Sequence, residues 1–285
     1  MSVIAILGMG TMGAAVAAAY KASGHCVVTD LAGRSEMSVR RATERGIEVA
    51  DDLKSLVRDA DIIFSIVPPD RALSVSERIV KRAGKVQDKP LFVEANAIAP
   101  QRIRQVSRIC RKAGLPLLDG GIVGGPPTEG TRPRLYLSGD STGDLAPLDG
   151  QAFEHKVLGV EIGQASMLKM FYAGLTKGLN ALLVNQLLAA KKAGLFDAYV
   201  EELACSQAEL LQHAERVVPR MPADSARCEP EMREIAATLA DLDLPAGFHR
   251  AAERIMARLA TSQFAHETRE TVDPSRTLRG TLHNL

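Results

Sequence analysis

The sequence predicts an α/β chain: a doubly wound parallel sheet over residues 1–163, followed by an all-helical domain over residues 164–285. Three observations carry this. Short apolar runs alternate with helix-like stretches through the first part, the rhythm of βαβ units. A glycine triplet, Gly8-x-Gly10-x-x-Gly13, falls between the first apolar run and an alanine-rich stretch. After residue 163 the strand-like runs stop, and apolar residues recur near the helical period of about 3.6 residues.

In chain order, Val3–Leu7 is a continuous apolar run, as a strand buried on both faces requires. The alanine-rich helix follows from about Ala14 to Ala22, with Gly24 as its stop. Cys26–Thr29 reads as a second strand and residues 36–45 as a charged surface helix. Asp61–Val67 is a third strand, ended by Pro68-Pro69. Further strands are expected at Pro90–Glu94, Leu115–Asp119 and Arg134–Gly139, with a helix from Pro100. A long helix is expected from Gln164 to Gly194, with Leu168, Phe171, Leu175, Leu179, Leu182 and Leu183 at helical spacing. Other helices are expected around 196–218, 229–241 and 247–264. The polar stretch from about Glu267 reads as a frayed tail.

Composition bounds the partners. A chain of 285 residues at roughly 150 per domain suggests two domains. With 35 basic and 34 acidic side chains, the net charge of +1 offers no footprint for nucleic acid or a membrane surface. The partner expected is a small molecule. Cys26, Cys110, Cys205 and Cys228 are widely spaced and form no CxxC pair, which argues against disulfides and structural zinc. The six histidines form no metal-binding spacing. The apolar start is far too short for a signal or a span. A cytoplasmic protein is expected.

The glycine triplet carries chemistry because of where it lies. In a strand–turn–helix, the first glycine allows the tight turn, the second lets backbone approach a pyrophosphate, and the third lets helix pack on strand. The helix N-terminus then offers N–H groups and partial positive charge to phosphate. Gly8, Met9, Gly10, Thr11, Met12 and Gly13 are therefore candidate dinucleotide ligands, and the sheet is Rossmann-type. Asp30, at the end of the second strand, would hold the ribose diol of NAD. Arg34 and Ser35 just beyond it would take the 2′-phosphate of NADP. The cofactor expected is NADP or NAD, with Arg34 tipping the reading toward NADP.

Gly8-Met9-Gly10-Thr11-Met12-Gly13 followed by Gly24-His25 resembles the opening of the β-hydroxyacid dehydrogenases, the family of 3-hydroxyisobutyrate and 6-phosphogluconate dehydrogenases and related imine reductases. Later segments resemble that family in order over roughly the first 195 residues. Val67-Pro68-Pro69 resembles its turn over the cofactor. Glu94-Ala95-Asn96-Ala97-Ile98-Ala99-Pro100 resembles its segment near the nicotinamide, and Asp119–Gly125 its substrate-binding segment. Gly163-Gln164-Ala165-Ser166-Met167-Leu168-Lys169 resembles the stretch that carries its catalytic lysine. The C-terminal part is similar to a divergent branch with its own helical domain, labelled 6-phosphogluconate dehydrogenase-like.

The resemblance implies Lys169 as the general acid–base of a hydride-transfer oxidoreductase acting on CH–OH groups. It implies Gly121, Ile122, Val123, Gly124, Tyr172 and Thr176 around the substrate, and Val67, Pro68 and Asn96 against the cofactor. It also implies an active site between the domains and a homodimer. Three positions depart from the family. Ala173 stands where an asparagine is usual, Val123 where a serine is usual, and Thr176 where 6-phosphogluconate dehydrogenases have an acid. These changes argue against 3-hydroxyisobutyrate and 6-phosphogluconate as substrates.

Positions 169, 173, 176 and 180 share one face of a helix, so Lys169, Ala173, Thr176 and Asn180 lie together, with Tyr172 beside them. Lys177 and Tyr172 are weaker candidates for proton transfer, and His249 is a candidate to reach the cleft. Arg132 and Arg134 could hold a substrate carboxylate. The leading expectation is a dehydrogenase of a small β-hydroxy acid or related hydroxy compound. The alternatives are an NADPH-dependent imine or ketone reductase, and an NAD(P)H-binding sensor without turnover.

Overall fold

The computed structural model describes residues 1–285. The chain forms two compact units, Met1–Met170 and Phe171–Leu285.

The first unit opens with β1 (Val3–Leu7), α1 (Thr11–Ala22), β2 (Cys26–Thr29), α2 (Glu36–Glu44), β3 (Glu48–Val49), α3 (Leu53–Asp59) and β4 (Ile62–Ser65). It continues with α4 (Pro69–Ala83), β5 (Leu91–Glu94), α5 (Pro100–Ala113), β6 (Leu117–Val123), β7 (Arg134–Ser138) and β8 (Glu154–Gly159). The eight strands form one sheet in the order β3-β2-β1-β4-β5-β6-β7-β8. Neighbours are parallel except β6 and β7, which are antiparallel. Alternate residues of β1 enter two separate cores. Ile4 and Ile6 pack on one face of the sheet with Tyr20, Phe64 and Phe153. Ala5 and Leu7 pack on the other with Ile63, Phe92 and Ile103. Burial on both faces is why β1 reads as an unbroken apolar run.

Several helix starts follow local chemistry. Pro69 and Pro100 open α4 and α5 at positions where a missing N–H costs no hydrogen bond. Asp52 and Ser55 form a reciprocal cap on α3. Strand order reverses at β1, which lies between β2 and β4, so the carboxyl ends of β1 and β4 flank the crevice where such sheets bind ligands.

Two strands escape the sequence reading. β3 has two exposed residues, and β8 is a charged edge strand, so neither presents an apolar run. β6 begins at Leu117 rather than Leu115 and continues to Val123, carrying the glycine-rich segment into the sheet.

The helix α6 (Gln164–Lys192) has its first turns in the first unit and the remainder in the second. The second unit then adds α7 (Phe196–Ser206), α8 (Ala208–Val217), α9 (Pro222–Asp241), α10 (Gly247–Ala260) and α11 (Leu278–His283). The helix expected over 196–218 is two helices, broken at Gln207, whose φ of −141° and ψ of 45° are not helical. The one expected from 229 starts at Pro222 and runs through Pro230. The helix expected over 247–264 ends at Ala260.

The stretch after Glu267 is not a frayed tail. Leu278 and Leu282 are buried, and Thr277 caps α11 by accepting from Gly280 N at 3.1 Å. Arg276 donates to the Pro219 carbonyl at 2.9 Å, pairs with Glu267 and lies 4.2 Å over the Phe264 ring. Lys191 Nζ donates to Leu282 O at 2.6 Å. Polar anchors hold this segment, and they leave no apolar period in the sequence.

Candidate functional site

The turn after β1 separates its three glycines by role. Gly8 has φ +111°, and a Cβ there would lie 2.2 Å from Ile66 O, the first residue beyond β4. A Cβ on Gly13 would lie 1.9 Å from Gly8 O. These two glycines are demanded by the protein's own packing. Gly10 is exposed, and a Cβ there would meet nothing within 4 Å. The Met9 side chain is buried in the core, so the turn presents backbone. Helix α1 has no side-chain cap and no acid in its first turn, which leaves its leading N–H groups and positive end available. The open position at Gly10, between two glycines that cannot be replaced, fits the pyrophosphate of a dinucleotide.

At the end of β2, Asp30 is almost wholly buried. Its Oδ1 accepts from Ala32 N at 2.9 Å, and its Oδ2 faces Arg78 Nη2 at 3.4 Å. Ser35 caps α2, accepting from Ser38 N at 3.4 Å. Arg34 lines a shallow hollow along α2 with Arg40 and Thr43.

Past β4 and β5 the side chain of Asn96 is committed to protein contacts. Its Oδ1 accepts from Val67 N at 2.5 Å. Its Nδ2 donates to Ser65 Oγ at 2.9 Å and to Glu94 Oε1. Its backbone N–H donates to Glu94 Oε2 at 3.1 Å. Asn96 therefore braces the Val67-Pro68 turn against β5, while Pro68 is exposed beside it. Burial pushes the Glu94 carboxyl up to about 8; the two donors from Asn96 pull against this and the nearby Asp119 adds to it.

On β6 the glycine-rich segment meets the start of α6. A Cβ on Gly121 would lie 2.6 Å from Ala165 O and 3.2 Å from Lys169 Cβ, so only glycine admits the helix this closely. Lys169 is half-buried, and its Nζ donates to Ile122 O at 2.6 Å. The Ile122 and Val123 side chains are buried, and Val123 pairs with Arg134. Gly124 has φ +128° and turns the chain out of the strand into solvent. The segment thus offers backbone rather than side-chain polarity.

Asp119, which opens the glycine-rich segment, has buried partners that the motif itself does not announce. Asp119 is fully buried on β6 and accepts hydrogen bonds from Ser138, Gly163 and Ser166. An acid inside an apolar strand needs such partners, and that alone could have flagged it.

In the second unit, Tyr172 is exposed and Thr176 Oγ1 donates to Tyr172 O at 3.0 Å. Ala173 is buried. Lys177 is in an ion pair with Glu231, which also binds Arg227. His249 Nε2 bonds with Gly174 O at 3.1 Å, and His213 Nε2 with Asn180 Oδ1 at 2.8 Å. Lys177 and His249 thus have structural partners. Arg132 donates to Gln151 O at 2.9 Å, a loop contact. No group of three or more His, Cys, Asp and Glu side chains converges as a metal site would, and no helix is long and apolar enough to cross a membrane.

Comparison with known proteins supports the fold described above. A family model described as the NAD binding domain of 6-phosphogluconate dehydrogenase matches residues 3–142. A domain of unknown function, DUF1932, matches residues 190–259. An uncharacterised 28.5 kDa protein of Methanothermus fervidus is 30% identical over 62% of this chain and 66% of its own length. The 3-hydroxyisobutyrate dehydrogenase of Pseudomonas aeruginosa is 32% identical over 44% of this chain and 42% of its own. The chain thus spans about two thirds of the first relative and less than half of the second.

Among solved structures, a conserved protein described as structurally similar to 3-hydroxyacid dehydrogenases is 26% identical, with a TM-score of 0.66 over 90% of this chain and 96% of that one. The Mycobacterium tuberculosis 3-hydroxyisobutyrate dehydrogenase shares the fold at 19% identity, with a TM-score of 0.71 over 99% and 98% of the two chains. An imine reductase from Myxococcus stipitatus in complex with NADP+ shares it at 19% identity, with a TM-score of 0.55 over 90% and 93%. With this sheet, this glycine turn and these matches, the chain belongs to the β-hydroxyacid dehydrogenase family, as a divergent member with its own C-terminal helical domain.

Proposed function

We propose that the chain is an NAD(P)-dependent oxidoreductase acting on a small β-hydroxy acid or related hydroxy compound, with Lys169 as its general acid–base. The observation that carries this reading is the bond from Lys169 Nζ to Ile122 O at 2.6 Å, which holds the amine against the glycine-rich segment. The nicotinamide, when bound, supplies or accepts the hydride. The backbone N–H groups of Gly10 to Gly13 would hold its pyrophosphate. In oxidation, neutral Lys169 takes the hydroxyl proton while one of its N–H groups stays on Ile122 O, which orients the lone pair. In reduction the ammonium returns a proton to the carbonyl oxygen.

We further read Arg34 and Ser35 as favouring NADP over NAD. The Asp30 carboxylate, which would favour NAD, is already engaged by Ala32 N and Arg78. A cytoplasmic homodimer completes the reading.

A second reading is an NADPH-dependent imine or ketone reductase. It is favoured by Val123 and Ala173, buried apolar side chains where the family resemblance implies groups that contact a hydroxy acid. A sensor that binds the cofactor without turnover is the third.

A panel of hydroxy acids, ketones and imines, each with NAD(H) and NADP(H), separates the three by absorbance of the reduced cofactor. On the substrate found, Lys169→Met is expected to bind cofactor normally and lose turnover by about a hundred- to ten-thousand-fold. Near-full turnover in that variant would move the proton transfer elsewhere. Tight cofactor binding with no turnover on any compound would support the sensor.

A further inference from the structure

We propose that Asp119 is the positioning residue for Lys169: it caps α6 from the neighbouring strand and so fixes where the lysine amine stands. The proposal deepens the reading of Lys169 given above and rests on it.

A helix leaves its leading N–H groups without partners, and a side chain just before the helix usually accepts from them. Helix α6 has no such residue. Gly163, the residue before it, has φ +112° and no side chain. The acceptor comes instead from β6. Asp119 Oδ2 accepts from Gly163 N at 2.9 Å and from Ser166 N at 3.0 Å, and its Oδ1 accepts from Ser166 Oγ at 2.5 Å. Ser138 on β7 completes the set, donating to Asp119 Oδ2 at 3.0 Å and accepting from Ala165 N at 3.2 Å. Four donors converge on one fully buried carboxyl, an arrangement suited to the acceptor-only carboxylate.

The consequence for Lys169 is geometric. Lys169 lies three residues after Ser166, within one helical turn, and Ile122 lies three residues after Asp119 on the strand. Strand and helix therefore run together as two short rails. Asp119 to Ser166 ties one end, and Ile122 O to Lys169 Nζ ties the other. Gly121 sits between, its missing side chain letting Ala165 and Lys169 come against the strand. Releasing the Asp119 tie lets the first turn of α6 shift, and the lysine amine shifts with it.

The test compares Asp119→Ala, Asp119→Asn and Ser166→Ala in the full chain. The first readout needs no substrate. Lysines are acetylated at a series of pH values with limiting acetic anhydride, and mass spectrometry maps the rate at Lys169 against Lys191 as reference. Asp119→Ala is expected to speed labelling of Lys169 several-fold at fixed pH and leave Lys191 unchanged. Asp119→Asn, which keeps one acceptor oxygen, is expected to restore most of the protection.

In turnover, Asp119→Ala is expected to lower kcat by about a hundredfold, the scale of a misplacement of about an ångström, with cofactor affinity unchanged. In a Lys169→Met background the same change should lower kcat no further, whereas a general loss of structure would add to it. Unchanged labelling of Lys169 in folded Asp119→Ala overturns the proposal. Should that variant not fold, Ser166→Ala removes only the bond to Oδ1, and unchanged labelling there overturns it equally. If Lys169→Met stays active, the proton-transfer reading fails, while the labelling still decides whether Asp119 positions the lysine.

Discussion

Glu94 shows what a single buried carboxyl does to the pH response of the fold. It has no exposed surface, and burial raises its pKa from an ordinary 4.5 to about 8. Between about pH 5 and 7.5 the folded chain keeps a proton that the unfolded chain has lost. Stability from this group is full below the unfolded value and drains as pH rises through the folded one, with a slope of up to about 1.4 kcal/mol per pH unit. His155 acts with the opposite sign, because burial lowers its pKa below 6.5 and its neutral form is the one the fold favours. The comparison of wild type with Glu94→Gln isolates the carboxyl. Wild-type stability from urea unfolding is expected to fall relative to the variant between about pH 5 and 8; parallel profiles would show that Glu94 titrates normally. At this scale the sequence was partly legible. Lys169, Gly121 and Asn96 could be named as candidates because each sits in an ordered run of motifs. The work of Asp119 and Glu94 could not, because their partners Ser138, Ser166 and Asn96 are joined to them by tertiary contact.

The β1–α1 turn is the element in which protein and ligand demands separate most cleanly. Gly8 and Gly13 are fixed by backbone atoms of the protein itself, at 2.2 Å from Ile66 O and 1.9 Å from Gly8 O for an added Cβ. Gly10 has φ −71°, a value any residue adopts, and open space where its side chain would be. Gly13→Ala should therefore lower the melting temperature, since no backbone atom at that distance can yield cheaply. Gly10→Val should fold normally and lose cofactor affinity, because its side chain takes the space of a pyrophosphate. Circular dichroism with a titration of NADPH fluorescence reads both effects. Unchanged affinity in folded Gly10→Val would place the phosphates elsewhere. The same logic explains which elements could be read from sequence. Strands buried on both faces announce themselves, as β1, β4 and β5 do. The edge strands β3 and β8 face solvent and carry no apolar signal. The chain after Glu267 is held by Arg276 on a carbonyl and by Lys191 on Leu282 O, contacts that leave no periodicity to find.

The homodimer proposed for this chain would use one surface of the second unit. On α6, Phe171, Leu175 and Leu182 are exposed at spacings that put them on a single face, and Leu175 is 72% exposed. Gly178 belongs to the same face, and a Cβ there would lie 3.0 Å from Phe248 Cε1. The half-exposed Phe248 ring therefore lies over Gly178, on the face that also carries Leu175 and Leu182. Four large apolar side chains exposed on one side of a helical unit suit burial against a partner. We take the occupant to be a second copy, since the family resemblance implies dimers joined through their helical domains. A symmetric dimer of this kind would bury this face of each protomer against the same face of its partner. Light scattering at micromolar concentration is expected to give twice the chain mass. Leu175→Glu places a charge on this face without disturbing the core, so it should keep the helical content and shift the mass to that of one chain. A monomeric wild type would refute the dimer, and a Leu175→Glu protein that stays dimeric would move the interface to another face.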